Sequence, residues 1–291
     1  MALRVRCPAK INLGLWILGK RPDGYHEIDT VMQTVGLEDE LLLTPAPRGF
    51  HLETRGLRIG GEGPNILERA WEMLSSRNTS KGIRVRLTKR IPVAAGLGGG
   101  SSDAAGFLLG ANRLLALDLE EREIQDLASR LGSDVPFFLH GGSARATGRG
   151  EQVRHLCPVP PAWVVLATPP LAVSTTWAYG RVRISLTPRE GGASMLAAAI
   201  ASQEWRSISP HFHNDFENVV LREFEVVARL RRALDRSRVL GSLLSGSGST
   251  VFGLARTRDE AQSAARSVAA LGASVHVVRT TERGVALAGH S

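Results

Sequence analysis

Apolar and polar residues alternate over the first part of the chain. The odd-numbered positions from Leu3 to Leu15 are all apolar, whereas Lys10 and Asn12 share the even parity. Because successive side chains of a strand point to opposite faces, the pattern predicts a long first strand with Lys10 and Asn12 on the face opposite the core. A solvent-exposed strand face is the ordinary interpretation of such a pair, and a functional face is the alternative.

A turn is predicted directly after this strand, at residues 21–24. Pro22 presets φ for a turn, and Gly24 accepts a positive φ. The turn places Tyr25 and His26 at the edge of a loop. Taken alone, two such residues are more often packing residues than ligands of a substrate.

The same periodicity predicts the other strands. Residues 45–64 are polar and are expected to hold a short hairpin. The uncharged residues 156–180 contain five prolines, which exclude one membrane-spanning helix and favour a linker, a buried strand and a loop. The predicted strands are residues 3–15, 29–35, 38–44, 83–88, 137–139, 163–167, 251–254 and 274–278.

Helices are predicted where apolar residues recur every three or four positions. A capping box of Asp118 and Glu121 is expected to begin one of them, and Gly132 to end it. Residues 181–212 are predicted to be irregular apart from one short helix. The predicted helices are residues 65–77, 101–115, 118–131, 193–202, 215–236 and 258–271.

A glycine-rich loop at residues 91–106 lies between a predicted strand and a predicted helix. Four glycines at positions 96–100 let the backbone bring its amide N–H groups close to an anion. Residues 101–103 are predicted to cap the helix, whose dipole favours negative charge there. The loop lacks the pattern of a Walker A loop or of a dinucleotide fingerprint. A phosphate cradle is predicted, with a flexible connection that binds nothing as the alternative.

Two further loops could contribute chemistry. Asp134 lies in a short loop at residues 132–136, between apolar segments, where an acid either caps a helix or takes part in a reaction. A second glycine-rich loop at residues 244–250 leads into a predicted strand. The residues alone leave both roles of Asp134 open.

Composition narrows the class of protein. The 291 residues suffice for two domains, and 43% hydrophobic and 22% charged residues are typical of a globular protein. Two cysteines give neither a disulfide framework nor metal-ligand spacing, and the first residues lack the apolar core of a signal peptide. A cytoplasmic protein with no membrane contact and no obligatory protein partner is expected.

The net charge of +8 raises the question of nucleic acid. The basic residues are scattered rather than gathered on one stripe, so no nucleic-acid partner is expected. A small polyanionic substrate is attracted equally well by the same net positive charge.

Three separated segments, residues 8–13, 92–102 and 244–248, resemble in order and spacing the GHMP small-molecule kinases. Residues 21–26 and 132–138 resemble, within that family, the branch that acts on a cytidine diphosphate-linked methylerythritol. The resemblance runs from about residue 5 to residue 280. Position 249 departs slightly, since serine stands where proline or alanine is commoner, but the neighbouring glycines remain.

The resemblance implies a two-domain α+β fold. An N-terminal domain similar to domain 2 of ribosomal protein S5 would span residues 1–157 and bind ATP. A ferredoxin-like C-terminal domain would span residues 158–291, with the active site in the cleft between the two domains.

The resemblance also implies an activity, the ATP-dependent phosphorylation of the 2-hydroxyl of 4-diphosphocytidyl-2-C-methyl-D-erythritol in the non-mevalonate route to isopentenyl diphosphate. Asp134 would accept the hydroxyl proton, and Lys10 would hold that carboxylate ionised and offset negative charge. Whether a base is strictly needed stays open, because both residues could act mainly by orienting and neutralising the reacting groups.

The remaining site residues follow from the same resemblance. Either Ser101 or Ser102 would contact Mg²⁺, and Trp177 is an alternative to Tyr179 as an aromatic partner of the cytosine in a ring sandwich. The expected substrate-binding residues are Asn12, Tyr25, His26, Thr175 and Tyr179. The expected ATP-binding residues are Asn65, Pro92, Val93, Ala94, Ala95, Gly96, Leu97, Gly98, Gly99, Gly100, Ser101 and Ser102.

Two other functions compete with this one. Another GHMP kinase, for homoserine, mevalonate or a sugar, would share the glycine loop but lack the Asp-Gly-Tyr-His segment at residues 23–26. A non-catalytic binding protein on the same scaffold is disfavoured, because Lys10, Asp134 and the glycine loop are all intact.

Overall fold

Strands and helices follow one another along the described part of the chain. A computed structural model describes residues 2–58, 65–75, 81–182 and 191–288. The strands are β1 (Leu3–Lys20), β2 (His26–Ala46), β3 (Phe50–Gly56), β4 (Gly82–Lys89), β5 (Ser143–Thr147), β6 (Gln152–His155), β7 (Trp163–Thr168), β8 (His213–Asn214), β9 (Gly241–Leu244), β10 (Val251–Ala255), β11 (Ser274–Arg279) and β12 (Ala286–Ala288). The helices are α1 (Ile66–Ser75), α2 (Gly99–Leu115), α3 (Glu121–Leu131), α4 (Val135–His140), α5 (Thr175–Tyr179), α6 (Gly192–Ala201), α7 (Trp205–Ile208), α8 (Glu217–Glu223), α9 (Glu225–Asp235) and α10 (Arg258–Ala269).

The strands form two sheets. In the larger sheet β12, β1, β2, β4 and β3 are neighbours in that order, and β5, β6 and β8 extend it. Its pairings are antiparallel apart from β1 with β8 and β3 with β4. The smaller sheet is antiparallel, with the order β11-β7-β10-β9. Together with the helices between its strands, this order is the βαββαβ arrangement of a ferredoxin-like fold, and the predicted α+β class is confirmed.

Three apolar clusters hold the layers together. Helices α1 to α4 cover one face of the larger sheet, where Phe107 and Phe137 are fully buried. The second cluster joins Ile11 of β1 to Phe252 of β10, so the two sheets pack against each other. The third cluster lies between the smaller sheet and helices α8 to α10. Burying each of these large side chains contributes roughly 1.5–3 kcal/mol.

The domain limit at residue 157 stays a prediction. The smaller sheet is built from residues beyond it, but β8 and β12, which also lie beyond it, pair with β1 in the larger sheet. Among the described residues, no helix is long and apolar enough to cross a membrane.

An irregularity in the pairing of β1 with β2 decides which side chains reach the site, and its two extra residues lie in β2. The pairing of β1 with β2 shifts register between residues 8 and 9. Before the shift Cys7 packs in the cluster under α2, whereas Ile11, with the same parity, packs between the sheets. Lys10 and Asn12 therefore point toward the helices, and both are buried. They lie on the face opposite Ile11, as predicted, but that face is buried beneath the helices rather than exposed to solvent.

The segment after Asp134 is a helix where the sequence predicts a strand. Val135–His140 form α4, with Pro136 in the first turn, where its missing N–H is not needed. The apolar residues 137–139 are too few for periodicity to distinguish a buried strand from a buried helix. Asp134 consequently stands at the N-terminus of a short helix.

The capping box of α3 also differs from the prediction. Glu120 and Glu123 form it, whereas Asp118 has a φ of 51° and lies outside the helix. The helix ends before Gly132, as predicted. A Glu at the first cap position is less common than Asp, which explains the misplaced start.

The structure also divides, joins or pairs differently some of the elements that the sequence predicts. The predicted helix at residues 215–236 is divided into α8 and α9 at Phe224, whose φ of −117° and ψ of 89° are not helical. The predicted strands at residues 29–35 and 38–44 belong to one continuous β2, and β3 pairs with β4 in parallel instead of forming a hairpin. Residues 59–64 of that hairpin and the end of the first predicted helix lie outside the described residues. The other predicted elements are found with shifted ends.

Candidate active site

A cavity of about 1400 Å³ is bounded by β1, the turn before β2, both glycine-rich loops and α5. It brings together residues that are far apart in the sequence. Of the predicted site residues, Ser102 alone does not line this cavity. The predicted residues on its wall are Lys10, Asn12, Tyr25, His26, Asn65, Pro92, Val93, Ala94, Ala95, Gly96, Leu97, Gly98, Gly99, Gly100, Ser101, Asp134, Thr175 and Tyr179.

Lys10 and Asp134 form an ion pair in this cavity. Lys10 Nζ lies 3.5 Å from Asp134 Oδ2, and the lysine side chain is 5% exposed against 32% for the aspartate. Lys10 Nζ also donates a hydrogen bond of 2.5 Å to Asn12 Oδ1. Asn12 in turn donates to Thr30 Oγ1 at 2.8 Å. These contacts hold the lysine in place and leave the carboxylate partly open to the cavity.

Asp134 occupies the cap position of α4 without acting as a cap. Its side chain makes no capping hydrogen bond, and φ and ψ are −84° and −10°. The carboxylate is instead turned to Lys10. The interpretation of Asp134 as a helix cap is therefore wrong, and the residue is available for chemistry.

The first glycine loop is fixed by close backbone contacts. Gly96 has a φ of +78°, and a Cβ on it would lie 1.9 Å from the carbonyl oxygen of Ser245. Gly98 has a φ of +70° and is the cap of α2. A Cβ on Gly100 would meet no heavy atom within 4 Å. Helix α2 thus begins at Gly99, two residues before the predicted cap, and its first N–H groups face the cavity.

The second glycine loop supports the first. Ser245 Oγ donates to the Gly96 carbonyl at 2.9 Å, and the Thr250 amide donates to the Ala95 carbonyl at 3.2 Å. Ser247 Oγ lies 3.1 Å from Thr175 Oγ1. The cavity wall that carries the predicted ATP-binding residues is therefore built from both halves of the chain.

A buried cluster of three charged residues lies beneath the start of α2. Lys89 Nζ contacts Asp39, and it donates a hydrogen bond of 2.7 Å to Asp103 Oδ2. Asp39 Oδ1 also accepts from the amides of Arg90 and Ile91. Burial raises the pKa of Asp103 to about 8; Lys89 opposes this rise, and the nearby Asp39 adds to it. Two carboxylates beside one ammonium favour one retained proton.

This raised pKa predicts a pH dependence of stability. Because the folded pKa of Asp103 exceeds its ordinary value, the folded chain binds more protons than the unfolded chain between about pH 4 and pH 8. The free energy of unfolding should therefore fall as pH rises through that window. Urea unfolding at several pH values should show a shallower fall for Asp103→Asn; parallel curves for the two proteins would contradict the assignment.

Aromatic rings form the other end of the cavity. The rings of His26 and Tyr179 stack at 4.6 Å with an angle of 20° between their planes, and Phe216 meets Tyr179 edge-on at 4.9 Å. Tyr25 is 52% exposed. Burial and the charge of Lys20 lower the pKa of His26, which favours its neutral form. Because His26 and Tyr179 touch each other, a base has no room between these two rings.

The two alternatives for the aromatic at α5 have different surroundings. Trp177 packs on Phe224 at 5.0 Å, with Arg181 over its ring. Tyr179, unlike Trp177, lies on the cavity wall. Asn65 is at the cavity edge, where its Oδ1 accepts from the Leu67 amide and caps α1.

Models of two protein families match the chain. The model of the GHMP kinases N terminal domain matches residues 65–142, and the model of the GHMP kinases C terminal domain matches residues 196–274. A 4-diphosphocytidyl-2-C-methyl-D-erythritol kinase from Pelotomaculum thermopropionicum is 39% identical over 282 residues, which cover 96% of this chain and 98% of the relative. The chain belongs to the 4-diphosphocytidyl-2-C-methyl-D-erythritol kinase family of GHMP kinases.

Other comparisons agree with this family. The kinase of the same name from Geobacter sulfurreducens is 39% identical, with 96% of this chain and 99% of the relative covered. A crystal structure of 4-(cytidine 5'-diphospho)-2C-methyl-D-erythritol kinase has a TM-score of 0.79 at 35% identity, covering 96% of this chain and 99% of that one. A homoserine kinase from Cytophaga hutchinsonii, with a TM-score of 0.77 but 18% identity, shares the fold.

Several cavity residues of this GHMP kinase were not predicted from the sequence. Thr30 and Phe216 have no motif around them, and they matter only through their contacts with Asn12 and Tyr179. Arg149, another of them, stands between two glycines in a short loop, which is a signal that could have been followed.

Proposed function

We propose that this chain transfers the γ-phosphoryl group of ATP to the 2-hydroxyl of 4-diphosphocytidyl-2-C-methyl-D-erythritol, giving the 2-phosphate and ADP. The observation that carries the proposal is the Lys10–Asp134 pair, which lies in one cavity with the glycine loop and an aromatic cluster. The relatives that match over nearly their whole length bear this kinase name. This reaction would belong to the non-mevalonate route to isoprenoid precursors.

Asp134 and Lys10 would act on the acceptor hydroxyl. Its oxygen forms a bond to the γ-phosphorus, the bond from that phosphorus to the bridging oxygen of ADP breaks, and the hydroxyl proton passes to the Asp134 carboxylate. Lys10 Nζ, 3.5 Å from that carboxylate, is its ion-pair partner before the reaction. The same ammonium offsets negative charge on the transferred group. Asn12, which accepts a hydrogen bond from Lys10, would orient the acceptor.

The donor would lie along the first glycine loop. The N–H groups at the start of α2 and the positive end of its dipole suit the phosphates of ATP. Residues 92–101 line this side of the cavity, and Asn65 lies at its edge, where the adenosine would be. In the proposed division of the chain, residues 1–157 bind ATP and residues 158–291 complete the cleft.

Mg²⁺ would offset the charge of the transferring phosphates when it is bound with ATP. Ser101 is the better candidate to contact it, because Ser101 lines the cavity, whereas Ser102 Oγ is buried and has no hydrogen-bond partner among the described residues. Within the described ranges no group of three His, Cys, Asp or Glu residues could hold a metal. The phosphates of the nucleotide would therefore supply most of the ligands.

The acceptor's cytosine would bind at the aromatic end. Tyr25 offers an exposed ring for stacking, and neutral His26 can both donate and accept a hydrogen bond. Tyr179 would support His26 from behind rather than enclose the base with it. Thr175, held by Ser247, is the remaining polar contact at this end.

We also propose the cytoplasm as the compartment of this reaction. Cys7 and Cys157 are both unpaired, one buried and one exposed, which suits a reducing environment. The proposed reaction needs no second protein.

Acceptor selectivity tests the proposed function. With ATP and Mg²⁺, coupled ADP release should have a kcat/KM for 4-diphosphocytidyl-2-C-methyl-D-erythritol at least about 10³-fold above that for homoserine or mevalonate. The reason is that neither competitor has a base for Tyr25 and His26. Comparable turnover with either competitor would contradict the proposal.

A further inference from the structure

Arg149 stands in the cavity between the aromatic end and the reacting pair. It belongs to the loop between β5 and β6, flanked by Gly148 with a φ of +73° and Gly150 with a φ of +111°. Its guanidinium lies 4.8 Å over the ring of Tyr25. A Cβ on Gly150 would lie 3.8 Å from Asp134 Oδ1, so the same loop passes close to that carboxylate.

The guanidinium of Arg149 is only loosely engaged by protein groups. Its Nε is 3.8 Å from Glu151 Oε2, and Nη2 is 3.5 Å from the Ser129 carbonyl oxygen. The close contact of Glu151 is with the backbone amide of Arg149, at 2.7 Å. A guanidinium has five N–H donors, and these distances leave donors available to a ligand in the cavity.

The other cations of the cavity are either engaged or lie elsewhere. Lys10 is paired with Asp134, and Lys89 is buried between two carboxylates. Arg55 on β3 and the exposed Arg58, just beyond that strand, lie on the side of the predicted adenosine site, and Arg55 is paired with Glu53. Lys20 lies beside His26. Arg149 is thus the cation that combines contact with the exposed Tyr25 ring and proximity to Asp134.

A nucleotide that places its base on Tyr25 and a hydroxyl at Asp134 must pass its diphosphate between these two points. Both phosphates are negatively charged, and a planar guanidinium binds phosphate oxygens with two parallel hydrogen bonds. We propose that Arg149 binds the diphosphate of the acceptor and makes the site selective for a nucleoside diphosphate over a nucleoside. This inference rests on the proposed function, because it assigns a contact to the same acceptor.

Competitive inhibition by CDP and by cytidine separates this role from a structural one. For the unaltered enzyme, CDP should inhibit more tightly than cytidine. In Arg149→Gln the inhibition constant of CDP and the KM of the acceptor should rise roughly 10- to 100-fold, as for the loss of a charge-assisted pair, while the constants for cytidine and ATP stay within about twofold. Arg149→Lys keeps the positive charge but loses the planar pair of donors. Its inhibition constant for CDP and its KM for the acceptor should lie between those of the unaltered enzyme and those of Arg149→Gln.

The matched control is Arg154→Gln, on β6 of the same hairpin, because Arg154 is exposed and does not line the cavity. It should leave the ratio of the CDP and cytidine constants unchanged. An equal loss for CDP and cytidine in Arg149→Gln, or no loss for either, overturns the inference. If the unaltered enzyme turns over the acceptor but Arg149→Gln has the same ratio of CDP and cytidine constants, the inference alone fails. If the unaltered enzyme shows no turnover of the acceptor, the proposed function fails and the inference with it.

Discussion

Replacing Asp134 by asparagine is expected to lower kcat by roughly 10² to 10⁴-fold while the protein remains folded. The amide has nearly the shape of the carboxylate but cannot accept the hydroxyl proton. Asp134 is one-third exposed and caps nothing, so its charge is not needed to close the helix. Coupled ADP release at saturating ATP and acceptor measures the effect, and thermal unfolding checks the fold.

Asp126→Asn is the matched control for this substitution. Asp126 is exposed on α3 and does not line the cavity, so its loss of charge should leave kcat unchanged. A loss in kcat with an unaltered KM for both substrates would place the effect on the transition state. If Asp134→Asn retains near-normal turnover, Asp134 is not the base, and the pair with Lys10 serves only to orient the acceptor.

Gly96→Ala should be the most damaging change in the glycine loop. The new Cβ would lie 1.9 Å from the carbonyl oxygen of Ser245, a backbone atom, and φ at this position is +78°. The left-handed conformation and the clash together should cost at least about 2 kcal/mol of folding stability. Because the two glycine loops must separate to relieve the clash, the KM of ATP should rise as well. Urea unfolding and ATP titration measure both effects.

Gly100→Ala provides the comparison within the same loop. A Cβ there meets no protein atom within 4 Å, and the residue is inside α2, where alanine is favoured over glycine by about 1 kcal/mol. The free energy of unfolding of Gly100→Ala should therefore equal or exceed that of the unaltered protein. If Gly96→Ala is as stable as Gly100→Ala, the contact between the two loops does not hold the site in the way described.

The elements of the fold follow largely from the sequence, but their placement does not. Periodicity predicts β4 and α10 because each has one buried face, alternation predicts β1, and an apolar run predicts β7, which is buried on both faces. The irregularity before Ala9 escapes such a pattern, since the residues on both sides of it alternate without a break. Two extra residues of β2 accompany the change of face along β1, and this change places Lys10 in the site.

The candidate site could be predicted only in part for a similar reason. The glycine loop has a local signature, because positive φ and close backbone approach restrict which residues fit. Thr30 and Phe216 have none, and the glycines beside Arg149 indicate only a loop, since the role of each residue depends on which distant segment faces it in the fold. Stacking of His26 on Tyr179 likewise follows from the packing of α5, and no spacing in the sequence indicates it.

Identification of the product tests the central claim most directly. The enzyme should be incubated with ATP, Mg²⁺ and 4-diphosphocytidyl-2-C-methyl-D-erythritol until ADP release stops, and the product examined by carbon and phosphorus NMR. The account predicts one ADP released for each acceptor consumed, and a new phosphate ester whose phosphorus couples to the carbon that bears the 2-hydroxyl. A phosphate on another hydroxyl, or ADP release without consumption of the acceptor, would contradict the account.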